Sequence, residues 1–350
     1  MNLSIVAAGA FSAVGLSAEQ TAFGLRAGLF CPRTISHTDK HDQELGAVLV
    51  PAIHEEVEGW ERLVSLALPA LREVLGAVGG RARVARIFLA LPEVRPGLSA
   101  ADHVRVTEEL ADAVLDGDRR LITTLVGDRE AFALALGAAK EFLETNRDSL
   151  VLVGAVDSFH DVRTYQALDD DYRILSERAP NGFMPGEAGA FVALDGRRPG
   201  NALPVLAHVA YSEVGNEPSE DDTLAEVWTG LSRKAIHAAK SALESRGDAR
   251  VMPWILLDQI TERHRNKPWQ IVRHRLRQDV SDTTVQEVLA ERLGDVGTAS
   301  GALLAVYATI GLASGFAPSP WALVSLSSDR TARGCLSFVL PAKQKNKAGS

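Results

Sequence analysis

Side chains able to do chemistry are few and scattered in this chain. Its two cysteines, Cys31 and Cys335, stand far apart and form neither a disulfide framework nor a Cys-x-x-Cys pair. That usage fits a reducing, cytoplasmic setting. Cys31 precedes His37, His41 and His54, but the irregular spacing reads as a polar loop, and no metal is expected there. Asp169, Asp170 and Asp171 read as a solvated loop, with a weak cation site as the alternative. Gly76-Ala-Val-Gly-Gly80 lacks the strand-before, helix-after setting of a phosphate loop, so no nucleotide is expected on it. Thr123 and Thr124 need a base beside them to act as nucleophiles. The densest pattern is Asn181-Gly-Phe-Met-Pro-Gly-Glu-Ala-Gly-Ala-Phe-Val-Ala-Leu194. Gly182, Gly186 and Gly189, set with Pro185 around Met184 and Glu187, require a tight backbone that enters a strand over Ala190 to Leu194. Glu187 among those glycines is placed to accept several backbone N–H bonds, a structural role. A second cluster, Gly294-Asp-Val-Gly-Thr-Ala-Ser-Gly301, opens a long apolar helix.

The elements that must hold these residues follow from hydrophobic periodicity. Apolar β-rich runs alternate with helical patterns, the mark of an α/β fold with mostly parallel strands. Strands are expected at Leu3 to Ala7, Val84 to Leu91, Leu121 to Val126 and Leu150 to Val156, then at Val251 to Leu257, Trp321 to Leu326 and Leu336 to Leu340. A capping box at Ser17 to Gln20 opens a helix ending near Gly28. Further helices cover Val57 to Val78, Ala100 to Leu115, Ala131 to Thr145, Asp221 to Ser245 and Thr298 to Ala313. The stretches Ala131 to Asp157 and Ala299 to Asp329 match: a nearly all-apolar helix, a surface break, then a buried strand. Helices apolar all round must be buried, so the pair suggests a duplicated core. The polar linker Asp195 to Asn201 marks the boundary between halves, and 343–350 reads as a frayed basic tail.

Composition narrows the function classes. The chain has 350 residues, 46% hydrophobic and 23% charged, the profile of an ordinary soluble protein. The N-terminal apolar stretch, broken by Gly9, Ser12 and Gly15, reads as a first buried strand rather than a signal peptide. No apolar run approaches the roughly 20 residues of a membrane span. A net charge of −8 argues against nucleic acid as a partner. One basic cluster stands out: Arg263, His264, Arg265, Lys267, Arg273, His274, Arg275 and Arg277. Trp269, Val272 and Leu276 give it an apolar stripe, so the cations read as a solvated helix face; the alternative is a docking patch for an acidic partner.

The first glycine segment resembles the Gly-Phe-x-x-Gly-Glu-Gly-Ala-Gly signature of β-ketoacyl synthases, in the thiolase superfamily. The second resembles that family's Gly-His-x-x-Gly-Ala-Ala-Gly. The resemblance implies a thiolase-like α/β fold: two duplicated βαβαβαββ halves in five layers with buried central helices, divided as 1–195 and 196–342. It also implies a catalytic cysteine at the start of the first buried helix, near Gly127 to Arg129. From Leu125 to Leu136 there is no Cys, Ser or Thr. Gln259 stands at the first family histidine, Asp295 at the second, and no histidine follows His274. Ser327 to Gly334 replaces the glycine-rich oxyanion loop. Gly182, Gly186, Glu187, Gly189, Gly294 and Gly301 are retained, and Asp128, Gln259, Asp295 and Asp329 are the candidates for lining a vestigial pocket.

The implied function is a catalytically degenerate synthase-like protein, without cofactor, acting in binding or assembly. It would be an adaptor or chaperone-like component, as in synthase-like proteins that accompany type VI secretion effector loci. Two alternatives stand beside it: an acyl-thioester-handling enzyme with Asp295, Gln259 and Asp329 facing one pocket, or an inactive partner subunit of an active synthase. The resemblance also implies a homodimer in which Leu150 to Val156 pairs with its symmetry mate. Arg273, Arg275 and Arg277 are expected near the pocket mouth, facing an acidic partner such as an effector or a carrier protein.

Overall fold

Five strands in each of two successive runs of the chain take up the same spatial order. The computed structural model describes residues 3–197, 204–213, 220–244, 252–281 and 283–340. The expected tail 343–350 lies outside them, as do most of the linker and the ends Ser245 and Val251. The first run comprises β1 (Leu3–Ser12), α1 (Ala18–Arg26), β2 (Arg33–Thr38), β3 (Glu44–Ala47), α2 (Gly59–Ala77), β4 (Val84–Leu91) and α3 (Ala100–Val114). It continues with β5 (Ile122–Val126), α4 (Ala131–Thr145), β6 (Leu150–Ser158), α5 (Val162–Asp170) and β7 (Glu187–Asp195). The second run holds β8 (Val205–Ser212), α6 (Asp221–Leu243), β9 (Trp254–Leu257), α7 (Arg263–Arg275) and β10 (Gln286–Val288). It ends with α8 (Ala290–Leu293), α9 (Ala299–Ser314), β11 (Trp321–Ser327) and β12 (Arg333–Val339).

The sheet order is β10-β9-β11-β12-β8-β1-β7-β6-β4-β5. Taken within each run, both halves read third, second, fourth, fifth, first. The directions repeat as well. β4 is parallel to β5 and β6 while β6, β7 and β1 alternate; β9 is parallel to β10 and β11 while β11, β12 and β8 alternate. The halves join at β1 and β8 through the pairs Leu3–Leu206 and Ser4–Val205.

Five layers result. Helices α2 and α3 cover the outside of one half, α6 and α7 the outside of the other, and α4 and α9 lie between them, touching strands of both. α9 carries Ala, Gly, Ser and aliphatic residues and is buried along almost its whole length. At Gly301 a Cβ would lie 2.7 Å from Phe132 Cβ, so only glycine lets α9 cross α4 this closely. The outer helices are amphipathic and seal the sheet with large side chains; Trp228, Trp269 and Trp321 are buried under α6 and α7.

Several expectations need correction. β6 is hydrogen-bonded on both sides within its own chain, to β4 and β7, so it cannot pair with a second copy. The unbroken apolar run of Leu150 to Val156 reports two covered faces, not a free edge. The edge strand of that half is β5. α4 is buried on one side only; Leu134 is exposed and Phe142 partly so. Ser17 caps α1 by accepting from the Gln20 N–H, but Gln20 Oε1 accepts from Leu16 N instead of closing a capping box. The hairpin β2–β3, α5, β8, β10 and α8 are additional to the elements read from periodicity, and most of them are short or half-exposed.

Candidate functional site

The two glycine segments form one structural unit. Gly186 N donates to Asp295 O at 2.8 Å, and Asp295 N donates to Met184 O at 2.8 Å. Gly294 has φ +65, in the left-handed region, and a Cβ at Gly186 would lie 2.1 Å from Leu293 O. Glycine is required at both places. Beneath this joint Glu187 is fully buried and accepts from Arg62 Nε (2.5 Å) and Nη2 (2.8 Å), Ser158 Oγ (2.7 Å) and Val50 N (2.7 Å). Where several backbone amides were expected, one backbone N–H, a buried arginine and the Ser158 hydroxyl satisfy it.

The turn between β5 and α4 delivers Arg129 to the centre of the fold. Its Nε donates to Asp295 Oδ1 at 3.1 Å, and Nη2 completes a bidentate pair on Oδ2. Nη1 donates to Asp128 Oδ1 at 2.6 Å and to Asp329 Oδ1 at 3.0 Å. Arg129 is 1% exposed. A second arginine, Arg265, reaches in from the first turn of α7. It donates to Asp258 O at 2.6 Å and lies 3.3 Å from Asp258 Oδ2 and 3.6 Å from Asp295 Oδ2. Arg173 clamps Glu262 with two bonds of 2.7 Å and donates to Asp329 Oδ2 at 2.7 Å.

Charge states follow from this arrangement. Burial alone would raise the Asp295 carboxyl, but Arg129 and Arg265 hold it below its ordinary value. Asp329, where burial is outweighed by Arg129, His264 and Arg173, is held well below. Asp128 moves the other way: burial, with Asp329 adding repulsion, pushes it up to about 6 despite Arg129. The neighbouring Glu130 is pushed up to about 8 by burial and Asp128. Arg129 itself stays charged, because three carboxylates outweigh its burial.

Three of the sequence candidates, Asp128, Asp295 and Asp329, therefore converge on one guanidinium. Gln259 does not join them. It faces a separate cavity of about 340 Å³ with Phe30, Leu175, Phe183 and Met184, and its Nε2 has no partner among the described residues. Asp295 lines that cavity, whereas Asp128 and Asp329 line another of about 430 Å³. The trio Asp295, Gln259 and Asp329 thus does not face one pocket.

Sequence reasoning missed the arginines. Arg265, assigned by charge pattern to a solvated face, is fully buried. The one available signal for Arg129 was its place in Asp128-Arg129-Glu130, immediately before a helix that must pack inside. Arg275 is twelve residues beyond Arg263, roughly 18 Å along α7 at 1.5 Å per residue, and is tied to Asp222 at 2.8 Å. Arg263, His264 and Lys267 line the outer mouth instead, with Arg173 and Glu262.

Nucleophiles and metal ligands are sparse. Thr123 Oγ1 accepts from Arg86 Nη1 at 3.3 Å, and no base is bonded to Thr123 or Thr124 among the described residues. Burial pushes the Cys335 thiol up to about 12, and Cys31 is exposed. Among the described residues the group close enough to share a metal is Glu262, His264 and Asp329, not the Cys31–His54 set. Arg173 already bridges its two carboxylates. No helix among the described residues is long and apolar enough to cross a membrane.

No family model matches the sequence, and no curated protein matches it. Solved structures do match in fold. The ishigamide ketosynthase/chain length factor superposes with a TM-score of 0.71 at 16% identity, covering 98% of this chain and 100% of that one. A β-ketoacyl synthase from Burkholderia phymatum STM815 gives 0.68 at 14% identity, covering 97% and 100%. A ketosynthase in complex with its chain length factor from Xenorhabdus doucetiae gives 0.68 at 16%, covering 97% and 98%. The architecture is that of the thiolase-like ketosynthases.

Proposed function

We propose that this chain is a catalytically degenerate ketosynthase-like protein that works by binding. The supporting observation is Arg129. Where a condensing enzyme needs a nucleophile at the start of the buried helix, this chain places a guanidinium neutralised by Asp128, Asp295 and Asp329. A protonated guanidinium is neither nucleophile nor base, and Asp295 is spent on binding it. Residues 1–195 and 196–342 serve in this reading as the two halves of a retained scaffold. The test is incubation of the purified chain with acyl and malonyl thioesters, read by intact mass and by carbon dioxide release. Neither an adduct nor decarboxylation is expected; an acyl mass on Thr123 or Thr124 would overturn the reading.

The finer role we infer is that of an adaptor or assembly component in the cytoplasm, with a secretion effector as the partner class. Two of the similar structures pair a ketosynthase with a chain length factor, which supports a second reading as the inactive partner of an active synthase. Capture from the native host separates the two by what co-purifies: a synthase or an effector. Self-association would use the open edge of β5, and an acidic partner would meet Arg273, Arg275 and Arg277 on the flank where α7 packs on α6. Charge reversal of those three arginines should slow such association at low salt.

A further inference from the structure

The cavity of about 430 Å³ beside the arginine network carries a surplus of carboxylates. Four arginines line it, and each is engaged by acids of its own. Arg95 holds Asp157 at 2.5 Å, Arg129 holds Asp128 and Asp329, Arg173 holds Glu262 and Asp329, and Arg330 reaches Glu93 at 3.4 Å. Glu130, Asp171 and Glu213 line the same cavity with no cationic side chain bonded to them among the described residues. Glu130 is decisive. It is 6% exposed, and its Oε2 has no hydrogen-bond partner among the described residues. An unpartnered buried acceptor is a standing cost that an incoming donor removes.

The groups facing Glu130 sharpen the choice of donor. Asp128 and Arg129 lie on its own turn, Glu93 follows β4, Tyr211 comes from β8 and Arg333 from β12. Arg129 is bound to other carboxylates, and Arg333 turns its Nη1 to the carbonyls of Ser328, Arg330 and Ala332. Tyr211 donates to Glu213 at 3.4 Å. Arg95 Nε and Arg333 Nε are also without partners among the described residues, so the case for a cation rests on the excess of carboxylates over arginines in a cavity within the roughly 300–1,000 Å³ usual for small-molecule sites.

We propose that this cavity binds a small organic cation whose alkylammonium group pairs with the Glu130 carboxylate. The inference rests on the loss of the nucleophile argued above, since it fills the same space with a ligand of opposite character to an acyl group. Burial keeps the empty-site carboxyl of Glu130 protonated at pH 7, with its value up at about 8. An arriving ammonium favours the carboxylate, so the Glu130 proton leaves to solvent as the ion pair forms. Binding at pH 7 should therefore release about one proton.

Titration of the full chain with butane-1,4-diamine, by calorimetry in two buffers of different ionisation heat, tests this. Saturable binding with proton release is expected, while butyrate of the same length gives none. Glu130→Gln should bind about tenfold more weakly or worse and release no proton. Glu213→Gln, at an exposed position, should weaken binding while keeping the release, and it remains informative if Glu130→Gln does not fold. Absence of diamine binding at millimolar concentration, equal binding by Glu130→Gln, or preference for butyrate would overturn the proposal. None of these outcomes touches the thioester result, so the two readings fail separately.

Discussion

Arg129 and Asp295, 166 residues apart in the chain, close a fully buried ion pair between the start of α4 and the segment entering α9. The pair stitches the two halves together across the centre of the fold. Its value to the fold lies less in attraction than in mutual dependence, because either charge left alone in that interior is expensive.

Arg129→Met should therefore destabilise the chain by about 3–5 kcal/mol, as for other buried pairs that lose one partner. Urea unfolding followed by circular dichroism measures it. A loss below about 1 kcal/mol would mean that water reaches the stranded carboxylates.

The pH dependence has a defined sign. Glu130 and Asp128 have folded-state values raised to about 8 and about 6, so the stability tied to their protons is full in acid and lost as pH climbs through those values. Asp295 and Asp329 are lowered, so their contribution is present above the ordinary carboxylate range and lost as pH falls below it. Thermal unfolding between pH 3 and pH 9 should show a maximum at about pH 4, the ordinary carboxylate range that separates the two effects. In Glu130→Gln the decline from about pH 6 to about pH 8 should flatten.

Gly301→Val should cost about 1–3 kcal/mol, because its Cβ meets Phe132 Cβ at 2.7 Å and neither helix can retreat from the packed centre. A melting temperature unchanged from wild type would show that α4 yields, and would weaken the argument that this crossing fixes the central layer.

Val126→Lys probes self-association. Val126 is 49% exposed on the edge strand β5, and a lysine on an exposed edge opposes strand pairing. Light scattering should report a dimer for the wild-type chain and a shift toward monomer for the variant. A wild-type monomer near 37.5 kDa at micromolar concentration would leave the β5 edge without a second copy to pair with.

Much of the fold could be read from local pattern. Val84 to Leu91 and Ala131 to Thr145 coincide with β4 and α4 to the residue, because each is a strongly apolar run bounded by polar turns. β8 was not legible. His208 and Tyr211 interrupt its apolar alternation, and most of its residues are half-exposed. The candidate site was opaque in what it contains. Absent cysteine and histidine can be counted in a sequence, whereas Arg129 and Arg265 look like surface residues until acids from distant segments close around them. The same limit hid the β6 pairing, since an apolar run records covered faces and says nothing of who lies alongside.

The joint between Met184–Gly186 and Asp295 is made by main-chain atoms alone. Any side chain at position 295 that fits the space leaves those hydrogen bonds intact, while a single Cβ added at Gly186 breaks them. Closure of the scaffold and side-chain chemistry thus rest on different atoms of the same four residues and can vary separately. The glycines of this segment report that the main chain closes, whatever chemistry the side chain at position 295 carries.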